Sequence, residues 1–300
     1  MTPTRITPIK TSGTRRSART LPPTRSGSAH TLRLLCILAH PDDESLGVGG
    51  ILAKYAAEGI ETYLVTATRG EKGWFGPPEE NPGPAELGKI REGELKEAAK
   101  VLGLREVNLL DYHDGELDKA DQCVLTQQLV RHIRRIRPHV MVTFDQNGVY
   151  GHPDHIAATR AATAATLAAA DAGFDEPGGL APHTVSKLYY FAWTDEVRQA
   201  YEAAFGELVM QIDGVERRAV PWPHWAISTW IDTSAHWETV WEAIKYHCSQ
   251  LPGYQKLLDL PAEYHRVLWG RGTFHRVLSL VPTRDPEDDM FAGIRVSDSA

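Results

Sequence analysis

Long apolar runs, a cysteine framework and basic charge in the body are what this 300-residue chain has least of. No stretch of about eighteen apolar residues occurs, so no membrane span is expected. The three cysteines, Cys36, Cys123 and Cys248, are scattered without metal-site spacing, which speaks against a disulfide scaffold and fits reduced thiols in a cytoplasmic protein. A catalytic cysteine is also disfavoured. Cys36 lies inside an apolar run, and Cys248 directly follows His247, where helical neighbours do not face each other. Gly47-Val48-Gly49-Gly50 lacks the glycine order of a dinucleotide loop, and acids precede it where a pyrophosphate would need amides. A nucleotide cofactor is therefore not expected.

Acid is missing from one place. Residues 1–30 hold Arg5, Lys10, Arg15, Arg16, Arg19 and Arg25 with no Asp or Glu; taking those six from the 32 Lys and Arg leaves 26 against 39 acids, a net −13 for the remainder. An acidic body argues against a nucleic-acid partner. The arm, 1–31, is rich in Thr, Ser, Pro and Arg, cannot offset its ordering entropy by apolar burial, and is expected to be disordered. It has no apolar core of the kind a secretory leader needs, so Arg15-Arg16 is not read as a twin-arginine signal.

What is present is the composition of an ordinary soluble enzyme, 42% hydrophobic and 24% charged. Its organising stretch is Leu34-Leu35-Cys36-Ile37-Leu38-Ala39-His40-Pro41-Asp42-Asp43-Glu44: a short buried strand whose carboxyl end delivers an imidazole and three acids. Such charge is not buried for packing, since an unpaired ion costs several kcal/mol. Alone, the cluster suits a solvated helix cap as well as a site. A second cluster, Asp145 to His155, follows another β-rich run at 140–144 and includes His152, Asp154 and His155. Two polar strand ends on one edge of a parallel sheet make a site.

Strand-like and helix-like segments alternate: strands at 34–39, 61–68, 107–110 and 140–144, helices at 51–58, 86–102, 122–137 and 156–170. The expected fold class is α/β, a Rossmann-like three-layer sandwich with a mostly parallel sheet, in a single domain over 32–285. Beyond 170, strands are expected at 187–193 and 227–231, helices at 195–205 and 234–247, and a flexible tail at 286–300. The Gly/Pro-rich segment 69–84 contains Trp74-Phe75-Gly76-Pro77-Pro78, a candidate lid. His113, in the polar strand end Asp111-Tyr112-His113-Asp114-Gly115, is a further candidate for the pocket lining.

The segments Ala39–Glu44 and Tyr150–His155 together resemble the signature of the PIG-L/LmbE-like zinc-dependent deacetylases, which act on N-acetylglucosamine-type substrates. Thr66–Glu71, Ile90–Leu95 and Tyr246–Gln250 resemble further segments of that family in order. The resemblance implies one Zn2+ per chain, with Fe2+ as an alternative, held by His40, Asp43 and His155. It implies Asp42 as general base, His152 at the oxyanion or leaving group with Asp154 orienting it, and a part for the Tyr150 phenol. By the same resemblance Arg91 grips substrate hydroxyls and His247 lies near the pocket. The expected partner is a small-molecule amino sugar, and the sequence leaves room for a homo-oligomer. A thiol S-conjugate amidase on the same site is the nearest alternative. A non-haem Fe(II) oxygenase shares the ligand set but belongs on a jelly roll, and a sugar-binding module would have no need of a base at Asp42.

Overall fold

The computed structural model describes residues 31–207, 209–212 and 214–295. The expected basic arm lies outside them, apart from residue 31. Among the described residues no helix is long and apolar enough to cross a membrane.

The first half of the chain runs β1 (Arg33–Leu38), α1 (Asp43–Ala57), β2 (Glu61–Thr68), α2 (Pro84–Val101), β3 (Glu106–Tyr112), α3 (Gln122–Ile136) and β4 (Val140–Thr143). A helical turn, α4 (Gly148–Gly151), then leads into α5 (Pro153–Ala168) and β5 (Lys187–Phe191). After these come α6 (Asp195–Phe205), β6 (Val209–Ile212), β7 (Val215–Arg218), β8 (Thr229–Asp232), α7 (Trp237–Lys245), α8 (Gln255–Leu258), α9 (Ala262–Trp269) and β9 (Arg271–Ser279). Seven strands form one sheet in the order β3-β2-β1-β4-β5-β9-β8, flanked by helices, while β6 and β7 pair separately. β1 to β5 are mutually parallel; β9 and β8 add on antiparallel. The three-layer α/β expectation holds.

Strand β1 is an almost unbroken apolar run because helices cover both faces: Leu34, Leu35, Cys36 and Leu38 have no solvent exposure. It pairs with β2 on one side and β4 on the other, with Leu34 opposite Val140 and Cys36 opposite Val142. The chain winds one way from β1 to β3 and the other way from β4 to β5. The crevice between the ends of β1 and β4 is thus the topological switch point, where α/β sheets bind ligands.

Two helices start earlier than hydrophobic periodicity suggests, α1 at Asp43 rather than 51 and α5 at Pro153 rather than 156. In α1 the acids Asp43 and Glu44 suit the positive end of the helix dipole, and in α5 proline suits the first helical position. The glycines of α1 serve close packing: a Cβ on Gly50 would stand 2.8 Å from Thr233 Oγ1 and one on Gly49 3.0 Å from Val240. β9 has no clean alternation of apolar and polar residues, and sequence reasoning passed over it.

The expected tail at 286–300 is corrected as far as residue 295. Met290 and Phe291 are fully buried, and the backbone of Glu287 bonds Ser228 and Trp230 along the outer edge of β8. The Glu287 carboxylate accepts from Lys187 Nζ at 2.5 Å, Tyr189 Oη at 2.7 Å and Thr229 Oγ1 at 3.1 Å, all in the interior. Four apolar-looking positions cannot anchor a chain by pattern alone, but one carboxylate serving a buried ammonium does. Residues 296–300 lie outside the described set. Glu287→Ala strands the Lys187 charge and is expected to lower unfolding stability in urea by about 3 kcal/mol or more, much of which Lys187→Met on the same background should restore.

Candidate active site

His40 follows the end of β1, and the tight turn His40-Pro41-Asp42 swings the chain into α1. Asp42 takes a left-handed backbone (φ 107°), rare for a residue with a Cβ. His155 sits on the first turn of α5, so two short connections leaving neighbouring strands meet at the sheet edge. His155 Nε2 lies 3.3 Å from His40 Nδ1 and 3.4 Å from Asp43 Oδ1, and His40 Nδ1 lies 3.5 Å from Asp43 Oδ2.

Those separations test whether an ion fits. Donors about 2.1 Å from a tetrahedral metal are about 3.4 Å apart along an edge, so the two imidazole nitrogens stand at such a separation, and each has one oxygen of the Asp43 carboxylate at a similar distance. The protonation pattern agrees. The other ring nitrogen of His40, Nε2, faces Asp154 Oδ2 at 3.1 Å and Asp114 Oδ1 at 3.2 Å and therefore carries its hydrogen towards carboxylates. Nδ1 is thereby turned towards His155 Nε2 and Asp43, a position that a proton or, in its place, a cation fills. His155 Nδ1 is buried with no hydrogen-bond partner among the described residues, and its ring stacks on Phe144 at 3.9 Å.

The ionisation of these groups follows from the same contacts. Burial disfavours charge on His40, but Asp114, Asp154 and Asp43 outweigh it and hold the imidazole well above its usual range. Burial lowers His155 to about 3 despite Asp43, and lowers His152 to about 4 with His40 adding to the effect. Asp43 is held well below the usual carboxylate range, since His155 and His40 overcome its burial. Asp42 moves the other way: burial raises it, against the opposing pull of Arg91.

The structure brings Asp42, Asp43, His40, Tyr150, His152 and His155 to the wall of one cavity of about 350 Å³. Around them stand Phe144, Val149, Phe191, Trp193 and Tyr201, with Gly73 and Phe75 from the candidate lid segment. Phe75 is 54% exposed at the mouth, and the base of its segment is tied down by Gln250 Nε2 donating to Gly73 O at 2.9 Å.

Two expectations are corrected, those for Asp154 and His113. Asp154 does not orient His152 with its carboxylate. That group holds His40 and accepts the backbone N–H groups of Gly115 and Leu117, while the Asp154 backbone N–H donates to His152 Nδ1 at 3.2 Å. Arg91 borders the cavity but is buried and already engaged, donating to Gly70 O, Pro41 O and, at 2.9 Å, to Asp42 Oδ2. It clamps the turn that carries Asp42. His247 is fully buried behind the site, 2.8 Å from Glu44 Oε1, whose other oxygen accepts the Asp42 N–H. His113 points to solvent beside Glu71, and its neighbour Asp114 is the residue that turns inward.

Sequence reasoning also missed Tyr254, whose hydroxyl donates to Asp42 Oδ2 at 2.7 Å. A tyrosine in a loop more than two hundred residues from its partner carries no local signal. Asp114 had one, since it stands in a polar strand end beside the histidine that drew attention.

With the geometry in view, comparison with known proteins is decisive. Residues 35–166 match the family described as PIG-L, GlcNAc-PI de-N-acetylase. A 1D-myo-inositol 2-acetamido-2-deoxy-alpha-D-glucopyranoside deacetylase of Streptomyces griseus is 35% identical over 297 residues, 87% of this chain and 89% of the relative. The chain belongs to the PIG-L family. Another relative of this PIG-L chain, a mycothiol S-conjugate amidase of Streptomyces coelicolor, is 31% identical and covered over 98% of its length, with 88% of this chain aligned. Among solved structures, a conserved protein of Thermus thermophilus superposes with a TM-score of 0.60 at 29% identity, over 84% of this chain and 98% of that one. The PIG-L chain is a hydrolase of amide bonds. Its open, mostly parallel sheet also removes the jelly roll on which the oxygenase alternative depended.

Two substitutions separate the ligand shell from its support. His155→Ala is expected to abolish tight metal binding in a chelator competition, whereas Asp154→Asn, which keeps an acceptor for only one of the two backbone amides and loses the charge behind His40, should weaken it by about tenfold to a hundredfold.

Proposed function

We propose that this chain removes the acetyl group from the amine of a glucosamine-type substrate, using one divalent ion, zinc, held by His40, Asp43 and His155. The observation that carries the reading is the placement of Asp42 beside three converging donor atoms at the wall of a cavity sized for a small molecule. An ion bound there supplies an acidified water and a Lewis acid for the amide carbonyl.

The chain's own residues account for the rest. Arg91 and Tyr254 both bond Oδ2 of Asp42, which fixes the carboxylate and leaves Oδ1 to take the proton of the attacking water. As the water oxygen joins the carbonyl carbon and the C–N bond breaks, Asp42 returns that proton to the departing amine, giving acetate and a free amino sugar. His152 enters as a neutral imidazole. Because its Nδ1 accepts from the Asp154 backbone, its hydrogen sits on Nε2, where it donates to the oxyanion. The Tyr150 phenol, on the same wall, adds a second donor, and burial keeps it protonated.

The aromatic residues around the mouth, Phe75, Phe191, Trp193 and Tyr201, supply apolar faces for the sugar and its aglycone. The named substrate of the Streptomyces griseus relative makes an N-acetylglucosaminyl inositol the first compound to test. A mycothiol S-conjugate is the second, since the amidase relative aligns over nearly its whole length. Both amides would be cut by the same residues, so the choice between them rests on the fit of the aglycone.

Purified protein should contain zinc by elemental analysis and release acetate from N-acetylglucosaminyl inositol faster than it cleaves the S-conjugate. Asp42→Asn should retain the metal and lose about a hundredfold or more in kcat. Full turnover by that variant would remove Asp42 from the chemistry, and iron with no amide cleavage would overturn the hydrolytic reading.

A further inference from the structure

The strand end that supplies Tyr150 and His152 contains a backbone conformation that should not persist unaided. Val149 has φ 65° and ψ −72°, a γ-turn geometry that is rare for any L-residue and worse for a β-branched one. It is not a loose surface residue: Val149 is buried, 6% exposed, and lines the cavity next to Tyr150. Something must hold it.

Asp145, 2% exposed, does so from directly behind. Its Oδ1 accepts the N–H of Val149 at 2.8 Å and that of Asn147 at 3.1 Å, and its carbonyl accepts Gly148 N–H at 3.0 Å and Thr159 Oγ1 at 3.2 Å. The second carboxylate oxygen accepts Trp222 Nε1–H at 2.6 Å. Trp222 in turn donates its backbone N–H to Trp193 O at 2.8 Å, and Trp193 also lines the cavity. One carboxylate therefore connects the strained turn with a strap from the second half of the chain, and through it with Trp193.

We propose that Asp145 and Trp222 form a positioning bracket that holds Val149 in its left-handed conformation and so sets Tyr150 and His152 against the substrate. The proposal rests on the reading of Tyr150 and His152 as substrate-facing donors. Neither bracket residue touches the reacting atoms; each acts through the turn. Asparagine at 145 could accept one of the two sets of bonds but would present its amide hydrogens to the other donor, whereas phenylalanine at 222 keeps an aromatic ring and loses the pyrrole N–H that bonds Asp145.

The test uses the metal-loaded, full-length protein with N-acetylglucosaminyl inositol. Trp222→Phe and Asp145→Asn should each lower kcat, Asp145→Asn by about tenfold or more, with KM and metal content near wild type. Amide hydrogen exchange of residues 145–151 should quicken in both while that of β4 stays unchanged. Val149→Gly removes the penalty on positive φ and should raise kcat when added to Asp145→Asn, although in the wild-type background it lowers kcat by loosening the turn. Unchanged exchange at 145–151 in Asp145→Asn, or a double variant no faster than Asp145→Asn alone, overturns the bracket. Exchange is measured without substrate, so the bracket is judged separately from the chemistry: faster exchange together with full turnover by Tyr150→Phe would sustain the bracket's hold on the turn and overturn the role given to Tyr150.

Discussion

Everything in this site depends on the way one imidazole is caught between carboxylates. His40 is buried, yet Asp114 and Asp154 take the hydrogen on one of its nitrogens and Asp43 stands at the other. That arrangement decides which nitrogen is a donor of lone pair and which a donor of hydrogen, and so decides where a cation is bound. The backbone around it serves the same end. The amides of Gly115 and Leu117 hold Asp154, that of Lys72 holds Asp114, and that of His40 itself holds Asp43. Three loops from three strand ends are tied to one ring.

A second layer of charge stands behind the base. Asp42 occupies a left-handed turn, bonded by Arg91 and Tyr254 at its carboxylate and by Glu44 at its amide, with Glu44 braced in turn by His247. Arg91 bonds two carbonyls as well as Asp42, which suits a planar guanidinium and would not suit a lysine. Arg91 directly, and His247 through Glu44, keep the base where it is.

Much of this was legible because the chemistry-bearing residues are consecutive. His40, Asp42 and Asp43 follow an apolar run, as do His152, Asp154 and His155, and a buried parallel strand advertises its own carboxyl end. Parallel pairing followed from alternation, and with it the shared edge on which both clusters emerge; the strand order and its switch point did not. What stayed hidden lacked a local signature. Asp114 is one acid in a polar strand end, and whether it caps, solvates or supports a ligand is settled by which strand lies beside it. Tyr254 and Trp222 meet their carboxylate partners across long separations, and the positive φ of Val149 has no counterpart in residue type, since valine is among the last choices for it. The direction of Asp154 illustrates the limit well: its neighbour in sequence is His152, but its carboxylate belongs to a residue more than a hundred positions away.

The sheet divides labour along its width. The ion's ligands and the base come from the ends of β1 and β4 and the helices that follow them, which are pinned by glycine contacts such as that of Gly50 with Thr233. The aromatic rim comes from elsewhere: Phe75 from the connection after β2, Phe191 from the end of β5 and Tyr201 from α6. Replacing a rim residue reshapes the entrance while the donor atoms keep their own supports, whereas a side chain added at Gly49 or Gly50 of α1 would press on Val240 or Thr233 behind the catalytic seat. Such a scaffold is free to diversify its clientele while its bond-breaking apparatus stays frozen.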